Sequence, residues 1–152
     1  MNVDSTVLGP MLAQLHQGIR RDLDGVLLAA CAPDAGPWDR WNAVRMLDSE
    51  LRPRLRIERE LVHTVTHGRP AATTEQLWSL GELLEALGHR LCEVGRSGQR
   101  ASEFIRTADK YRLALEYWCR AVEIAAGEAA RALAPGQLLD RLEAMAEPAP
   151  AT

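Results

Sequence analysis

The sequence predicts an all-α protein, an up-down-up-down four-helix bundle with a short fifth helix near its C-terminal end. Aromatic residues make up only 5% of the chain, and no strand-like run of alternating Val, Ile and Thr residues occurs. Four long segments repeat apolar residues every three or four positions, which is typical of helices that bury one stripe. Short turn sequences join these segments. We therefore expect one domain over residues 1–146 and a disordered tail over 147–152.

The first two helices flank a loop at residues 32–37, which is rich in Pro, Ala and Gly. Proline is tolerated at the first position of a helix, so Pro10 is expected to start the first helix. The second helix extends from about Trp38 to His67, and Pro53 in its middle predicts a kink or bulge. The residues expected to face the core are Leu12, Leu15, Ile19, Leu23, Val26 and Ala30, followed by Trp41, Val44, Leu47, Leu51, Leu55, Val62 and Val65.

Two further long helices follow. Either Thr73 or Thr74 can cap the third helix, which extends to about Val94, and the fourth extends from near Phe104 to Pro135. Their expected core residues are Leu77, Leu80, Leu84, Leu87 and Leu91, followed by Phe104, Ala108, Tyr111, Leu115, Trp118, Val122, Ala125 and Ala129. The last apolar repeat, which predicts the short fifth helix, consists of Leu138, Leu142 and Met145.

Charge and hydropathy exclude two classes of partner. The formal net charge is −3, whereas a general nucleic-acid surface needs a positive face. No apolar run approaches the ~20 residues that cross a bilayer, and the N-terminus lacks the pattern of a secretory leader. We therefore expect no nucleic-acid and no membrane partner, and a soluble cytoplasmic protein. Its three cysteines, Cys31, Cys92 and Cys119, are expected to be reduced thiols.

His16 and Asp22 are the polar residues nearest the apolar stripe of the first helix. At ~100° per residue, Asp22 falls inside that stripe and His16 lies roughly 60° to one side of its centre. On the second helix, Glu58 falls on the apolar line and Arg54 borders it. Because buried polar groups need partners, we expect His16, Glu58 and Arg54 to meet.

Counting ~1.5 Å per residue along the helices places further side chains near this polar group. Gly88 of the third helix and Ala125 of the fourth are expected at the level of His16, and their small size predicts a cavity there. Trp118 is expected one layer away. Either Trp118 or Trp41 would provide an aromatic wall for a substrate.

One stretch of the first helix combines a histidine with a regular apolar repeat. Its residues are Leu15, His16, Ile19, Arg20 and Leu23. This stretch resembles the Leu-His-x-x-Ile-Arg-x-x-Leu motif that opens hemerythrin-like (HHE) domains, in which the histidine ligates iron. The likeness extends over roughly residues 11–135. It implies the hemerythrin-like form of the four-helix bundle.

The sequence departs from that family at most ligand positions. Where the family's second helix carries His-x-x-x-Glu, this chain has Arg54 and Glu58, and a guanidinium repels a metal dication. Four other ligand positions are occupied by Leu84, Gly88, Ala125 and Ala130. A di-iron centre needs about five or six side-chain donors. We therefore expect a degenerate member with no bound metal and no cofactor.

A different register would recruit four other side chains as ligands. They are Glu85, His89, Glu123 and Glu128. All four lie more than ~100° from the buried stripes of their helices. This register is therefore rejected, and these residues are expected at the surface.

The polar centre favours a metal-independent enzyme. Glu58 would act as general base beside Arg54, His16 would carry a second proton, and Asp22 is a further candidate catalytic carboxylate. The residues expected to bind substrate are Arg54, Trp118, Trp41, Gly88 and Ala125. Such groups suit the condensation or cyclisation of an aromatic or amine substrate, for example a Pictet–Spengler ring closure. By analogy of fold, the reaction belongs to bacterial specialised metabolism.

Three alternatives stay open at this point. The central polar side chains could form a buried ion network with a purely structural role. The chain could be a non-catalytic ligand-binding or regulatory hemerythrin-like module, or a residual iron- and oxygen-binding protein. Trp38, Trp78 and Leu83, which lie off the buried stripes, could form a homodimer surface.

Overall fold

The computed structural model describes residues 5–65, 71–97 and 101–132, with side chains over residues 10–60, 75–97 and 101–127. The described residues are helical apart from a short turn at 32–36, so the prediction of an all-α protein is confirmed for this part of the chain. The elements are α1 (Ser5–Cys31), α2 (Pro37–Met46), a π-helical turn (Leu47–Leu51), α3 (Arg52–Val65), α4 (Ala71–Ser97) and α5 (Ala101–Ala132). The predicted fifth helix and tail lie outside the described residues.

The starts of two helices show how proline is used. Helix α1 begins at Ser5 and includes Pro10, rather than beginning near that proline. Helix α2 begins at Pro37. Proline has no backbone N–H, and this loss costs little here because N–H groups in the first turn of a helix have no acceptor within it. The N–H of Gly36 donates to Oδ2 of Asp39 at 2.9 Å, which closes the first turn of α2.

The expected disturbance near Pro53 is confirmed as a π-helical turn. Helices α2 and α3 are continuous through Leu47–Leu51, and the N–H of Arg52 bonds to the carbonyl of Leu47, five residues back. Pro53 lies two residues after this turn, and its ring cannot fit a regular helix without displacing the preceding turn. The extra residue in the turn rotates the following side chains by ~100° relative to an unbroken helix.

Contacts between helices follow a simple order. Helix α5 packs along α1 and α4, α2 packs along α1 and α4, and α3 contacts α4 and α5. In two of these pairs, residue numbers rise along one helix as they fall along the other, so the helices run antiparallel. The contacting residues are His16 with Glu123 and Asp24 with Arg112 for α1 and α5, and Gly81 with Trp118 and Gly95 with Phe104 for α4 and α5.

The described part of the core is built from the predicted apolar stripes, with two exceptions, and the side chains of Val62, Val65 and Ala129 lie outside the described residues. Leu15 is 61% exposed and Trp41 is 46% exposed, so their assignment to the core is wrong. The buried line of α1 runs through Leu12, Ile19 and Leu23 and leaves Leu15 on the outside. Trp41 instead stacks on Trp38, with ring centroids 5.1 Å apart. None of the described helices is long and apolar enough to cross a membrane.

Candidate functional site

His16 is completely buried and lies between two carboxylates. Its Nε2 is 2.7 Å from Oε1 of Glu58 on α3, and its Nδ1 is 2.8 Å from Oε1 of Glu123 on α5. The imidazole ring has 0% exposure, whereas Glu58 and Glu123 are 13% and 22% exposed. Three helices therefore bring their polar side chains to a single buried ring.

The two contacts determine the protonation state of His16. A neutral imidazole has only one N–H, so donating to both carboxylates requires the doubly protonated imidazolium. Burial alone would lower the pKa of His16, but the Cys119 side chain and the Glu58 carboxylate raise it to about 10. The ring is therefore cationic at neutral pH and donates both hydrogen bonds.

Trp118 completes the site from α5. Its Nε1–H donates to Oε2 of Glu58 at 2.9 Å, so both oxygens of Glu58 accept a hydrogen bond. Among the described residues, no donor contacts Oε2 of Glu123. We call His16, Glu58, Trp118 and Glu123 the His16 cluster. With two carboxylates and one imidazolium, the cluster carries an excess of one negative charge.

The structure brings together only part of the predicted site. His16 and Glu58 meet as expected, and Trp118 joins them instead of lying one layer away. Asp22 is exposed and lines a groove between α1 and α2, so its predicted place in the buried stripe is wrong. Leu15 is exposed and does not belong to the buried stripe of α1, whereas His16 lies within that stripe.

Arg54 is exposed and does not reach Glu58, which corrects its predicted role. The π-helical turn precedes both Arg54 and Glu58 and leaves their relative positions unchanged; at ~100° per residue, Arg54 lies farther than Glu58 from the buried line through Leu51 and Leu55. Arg52 takes the inward position instead, with its side chain 16% exposed. Trp41, stacked on Trp38 at the start of α2, is likewise not part of the site.

The small residues expected beside His16 lie elsewhere. A Cβ atom on Gly88 would lie 3.2 Å from Cε2 of Tyr111, so this glycine makes room for the tyrosine ring. At the level of the His16 cluster the glycine is Gly81, where a Cβ atom would lie 3.0 Å from Nε of Arg59 and 3.2 Å from Cζ3 of Trp118. The predicted cavity beside His16 is therefore occupied by an indole ring.

Ala125 is buried and lies in a groove between α4 and α5. The groove has a volume of about 530 Å³. Its lining residues are Gln76, Leu77, Leu80, Tyr117, Ala121, Ile124 and Ala125. Ala125 thus faces an apolar surface groove, although it lies within one helical turn of Glu123, which bonds to His16.

Glu123 is a residue of the site whose predicted position at the surface is wrong. It was assigned to the surface, yet it is half-buried and bonds to His16. One signal could have found it, because Glu123 lies four residues after the buried Cys119 and so on the same face of α5. Glu85 was also assigned to the surface and is half-buried, whereas His89 is exposed as expected. The side chain of Glu128 lies outside the described residues.

A second polar group, which we call the Arg52 cluster, lies beside the π-helical turn. Arg52 donates to Oδ1 of Asp48 at 2.8 Å and to Oε1 of Glu85 at 2.9 Å. Arg56 donates to the same oxygen of Glu85 at 3.0 Å, and Arg96 donates to Oδ2 of Asp48. Burial alone would raise the pKa values of Asp48 and Glu85, but Arg52 holds both below their usual range.

Tyr111 and Cys92 border the Arg52 cluster. The hydroxyl of Tyr111 is buried and has no hydrogen-bond partner among the described residues. Burial raises the pKa of this hydroxyl, and burial beside Asp48 raises the pKa of the Cys92 thiol to about 11. Both groups are therefore protonated at neutral pH.

The di-iron centre that the hemerythrin-like resemblance implies can be tested against these side chains. Three of its expected ligand positions hold Leu84, Gly88 and Ala125, which have no donor atoms. Among the described residues, no group of three His, Cys, Asp or Glu side chains is arranged to hold a metal ion. This donor set does not fit a di-iron centre.

Comparison of the chain with protein-family models, with curated proteins and with solved structures gives no match. The function must therefore be inferred from the geometry of the described residues. The His16 cluster is the feature that carries most chemical information, because strongly perturbed ionisable groups concentrate at functional sites.

Proposed function

We propose that this protein is a metal-independent enzyme that uses the His16 cluster for acid–base chemistry on a small molecule. The observation that carries this proposal is the buried imidazolium of His16, held at 2.7 Å and 2.8 Å by Glu58 and Glu123. A positioned carboxylate can accept a proton from a reacting group, which accelerates a reaction by about 10²–10⁴-fold.

The charge of the site favours a cationic substrate. The cluster has two carboxylates and one imidazolium, and its excess negative charge lies where water screens it poorly. A protonated amine, or the iminium ion that an amine forms with an aldehyde, would reduce this excess. A Pictet–Spengler-type ring closure fits this charge, because an iminium ion reacts with an aromatic ring and a base then removes a ring proton.

We further propose that the four helical segments form an up-down-up-down bundle of the hemerythrin-like type. The antiparallel contacts between α1 and α5 and between α4 and α5 support this arrangement. The short turn at residues 32–36 is also of the length that joins antiparallel neighbours. In this view the His16 motif has kept its place in the bundle while its role has changed.

The proposed chemistry is tested by incubating the protein with a panel of arylethylamines, including tryptamine, and simple aldehydes. Chiral chromatography then measures both the rate and the enantiomeric excess of the cyclised product. We expect a product of high enantiomeric excess, formed at least 100-fold more slowly by Glu123→Gln. Glu116→Gln is the matched control, because Glu116 lies on the same helix and pairs with Arg120.

Racemic product formed across the whole panel at the rate measured in buffer alone would contradict a Pictet–Spengler-type activity.

A second candidate function is the binding of an apolar small molecule without turnover. It is favoured by the groove of about 530 Å³ between α4 and α5. Saturable binding of the panel compounds that is weakened by Ala121→Trp, with no product, would support this second function.

A further inference from the structure

We infer that Glu123 is the carboxylate that exchanges a proton with the substrate, while Glu58 is a positioning residue. This inference rests on the proposed function and gives different roles to two acidic residues that contact the same imidazole. It reverses the role that the sequence suggested for Glu58. Three observations on the His16 cluster support it.

The first observation is the use of the carboxylate oxygens. Glu58 accepts from Nε2 of His16 with one oxygen and from Nε1 of Trp118 with the other. Glu123 accepts from His16 with Oε1, and no donor among the described residues contacts its Oε2. A proton can therefore add to Glu123 without breaking a hydrogen bond. Adding one to Glu58 would place it on an oxygen that already accepts from His16 or Trp118, and the neutral acid accepts those hydrogen bonds more weakly.

The second observation is access to the surface. Glu123 is 22% exposed, Glu58 is 13% exposed and His16 is fully buried. The ring of Trp118, which is itself buried, covers one oxygen of Glu58. A substrate that approaches from solvent can reach Glu123 with less displacement of protein atoms than it needs to reach Glu58.

The third observation is the charge balance of the proton transfer. When a C–H bond of the cationic ring intermediate breaks, its electron pair stays in the substrate and restores aromaticity. The proton forms an O–H bond at Oε2 of Glu123, which becomes neutral. The remaining buried groups are then the imidazolium of His16 and the carboxylate of Glu58, a neutral pair. Loss of this proton from Glu123 to water restores the starting state.

The roles of the surrounding groups follow from this assignment. The imidazolium of His16 donates to Oε1 of Glu123, and Oε2 has no donor among the described residues. Glu58 holds the imidazolium in the correct orientation, and Trp118 holds Glu58. Glu123 is thus the catalytic residue of the cluster, and the other three are positioning residues.

The deciding experiment has one readout that does not depend on turnover. The folded protein is treated with a water-soluble carbodiimide and tryptamine, and mass spectrometry maps the labelled carboxylates. We expect Glu123 to be labelled at least 10-fold faster than Glu58. The exposed Glu116 reports the general reactivity of the reagent on α5. Equal or faster labelling of Glu58 would overturn the assignment, whether or not the protein turns over any substrate.

The second readout is chemical rescue of the active protein. Formate is expected to raise the kcat of Glu123→Ala at least 10-fold, because a small carboxylate can fill the space that the missing side chain leaves. Glu58→Ala is expected to show no rescue, and ¹⁵N NMR should show that its His16 ring has lost the doubly protonated form. Rescue of Glu58→Ala instead of Glu123→Ala would overturn the assignment. Absence of turnover in the wild-type protein would count against the proposed function, while the labelling result would still decide between the two carboxylates.

Discussion

The His16 cluster and the Arg52 cluster differ in charge and in access to water. The His16 cluster has two carboxylates around one fully buried imidazolium and therefore an excess negative charge. The Arg52 cluster has three guanidinium groups and two carboxylates, and Arg56 and Arg96 extend to the surface. Water can screen the second group far better than the first.

This difference indicates different roles for two groups of similar composition. The Arg52 cluster joins α4 to the π-helical turn and to the start of α3 through Asp48, Arg52 and Glu85. Its carboxylates are held by surplus cations, so they are poor bases. In the His16 cluster, Oε2 of Glu123 accepts no hydrogen bond from a described residue, and the excess charge is one that a proton would neutralise. Chemistry is therefore expected at the first cluster and structural support at the second.

The largest expected difference between the two clusters is in stability after a single carboxylate is removed. Glu58→Gln takes the charged partner from a buried imidazolium, and we expect the free energy of unfolding to fall by about 3 kcal/mol. Glu85→Gln acts on a half-exposed network and should cost about 1 kcal/mol. Urea denaturation followed by circular dichroism measures both changes. Equal losses would show that the clusters do not differ as described.

The second prediction concerns pH, because the two clusters should fail at opposite ends of the pH range. The pKa of His16 is raised from 6.5 to about 10, so its contribution to stability is complete below pH 6.5 and is lost as pH rises through 10. The pKa values of Asp48 and Glu85 are lowered, so their contribution is present at neutral pH and is lost in acid.

Unfolding free energies measured between pH 3 and pH 10.5 test this pattern. The stability difference between wild type and His16→Gln is expected to shrink as pH rises above 6.5. The difference for Glu85→Gln should shrink as pH falls below 4.5, the ordinary pKa of that carboxyl. A His16→Gln difference that grows toward alkaline pH would contradict the imidazolium between two carboxylates.

A smaller effect is expected when Trp118 is replaced. Trp118→Phe keeps most of the ring that packs against Gly81 but removes the N–H that bonds to Glu58. We expect a loss of about 1–2 kcal/mol in stability and a downward shift in the pKa of His16, since Glu58 becomes free to turn away. The ¹⁵N NMR titration of His16 measures the shift. Trp38→Phe, on the exposed stacked pair, is the control and should leave this titration unchanged.

The smallest expected effect is at Tyr111, next to the Arg52 cluster. Its hydroxyl is buried without a partner among the described residues, so Tyr111→Phe removes a polar atom that makes no hydrogen bond. We expect stability to be unchanged or to rise by up to about 1 kcal/mol, as measured by thermal unfolding. Tyr117→Phe is the control, because Tyr117 is 59% exposed. A loss above about 1 kcal/mol in Tyr111→Phe alone would reveal a buried partner for the hydroxyl.

Much of the secondary structure was predictable because it depends on residues close together in the chain. The apolar repeats predicted the long helices, and the turn at residues 32–36 falls where glycine and proline interrupt the repeat. Pro53 predicted a disturbance, and the π-helical turn ends two residues before it. Counting residues along the helices also predicted that His16 and Glu58 lie at the same level and contact each other.

The predictions that failed were those that needed exact rotation of one helix against another. Arg52, and not Arg54, is the partly buried arginine of this segment, although the two lie only two residues apart. On α1, His16 lies within the line of buried residues, and Asp22 lies outside it. Glu123 was predicted at the surface, because its contact with His16 depends on how α5 packs against α1.

The sequence by itself determined that the described chain is helical, where its main turn and its bulge lie, and that His16 and Glu58 share one level. Only the tertiary structure decided that Glu123 is the second carboxylate, that Trp118 holds Glu58 and that Arg54 is outside. The physical reason is that helical periodicity is set by neighbours three or four residues away. The partners of a buried charge are instead chosen by the packing of three helices, where an error of one residue turns a side chain from the core to the solvent.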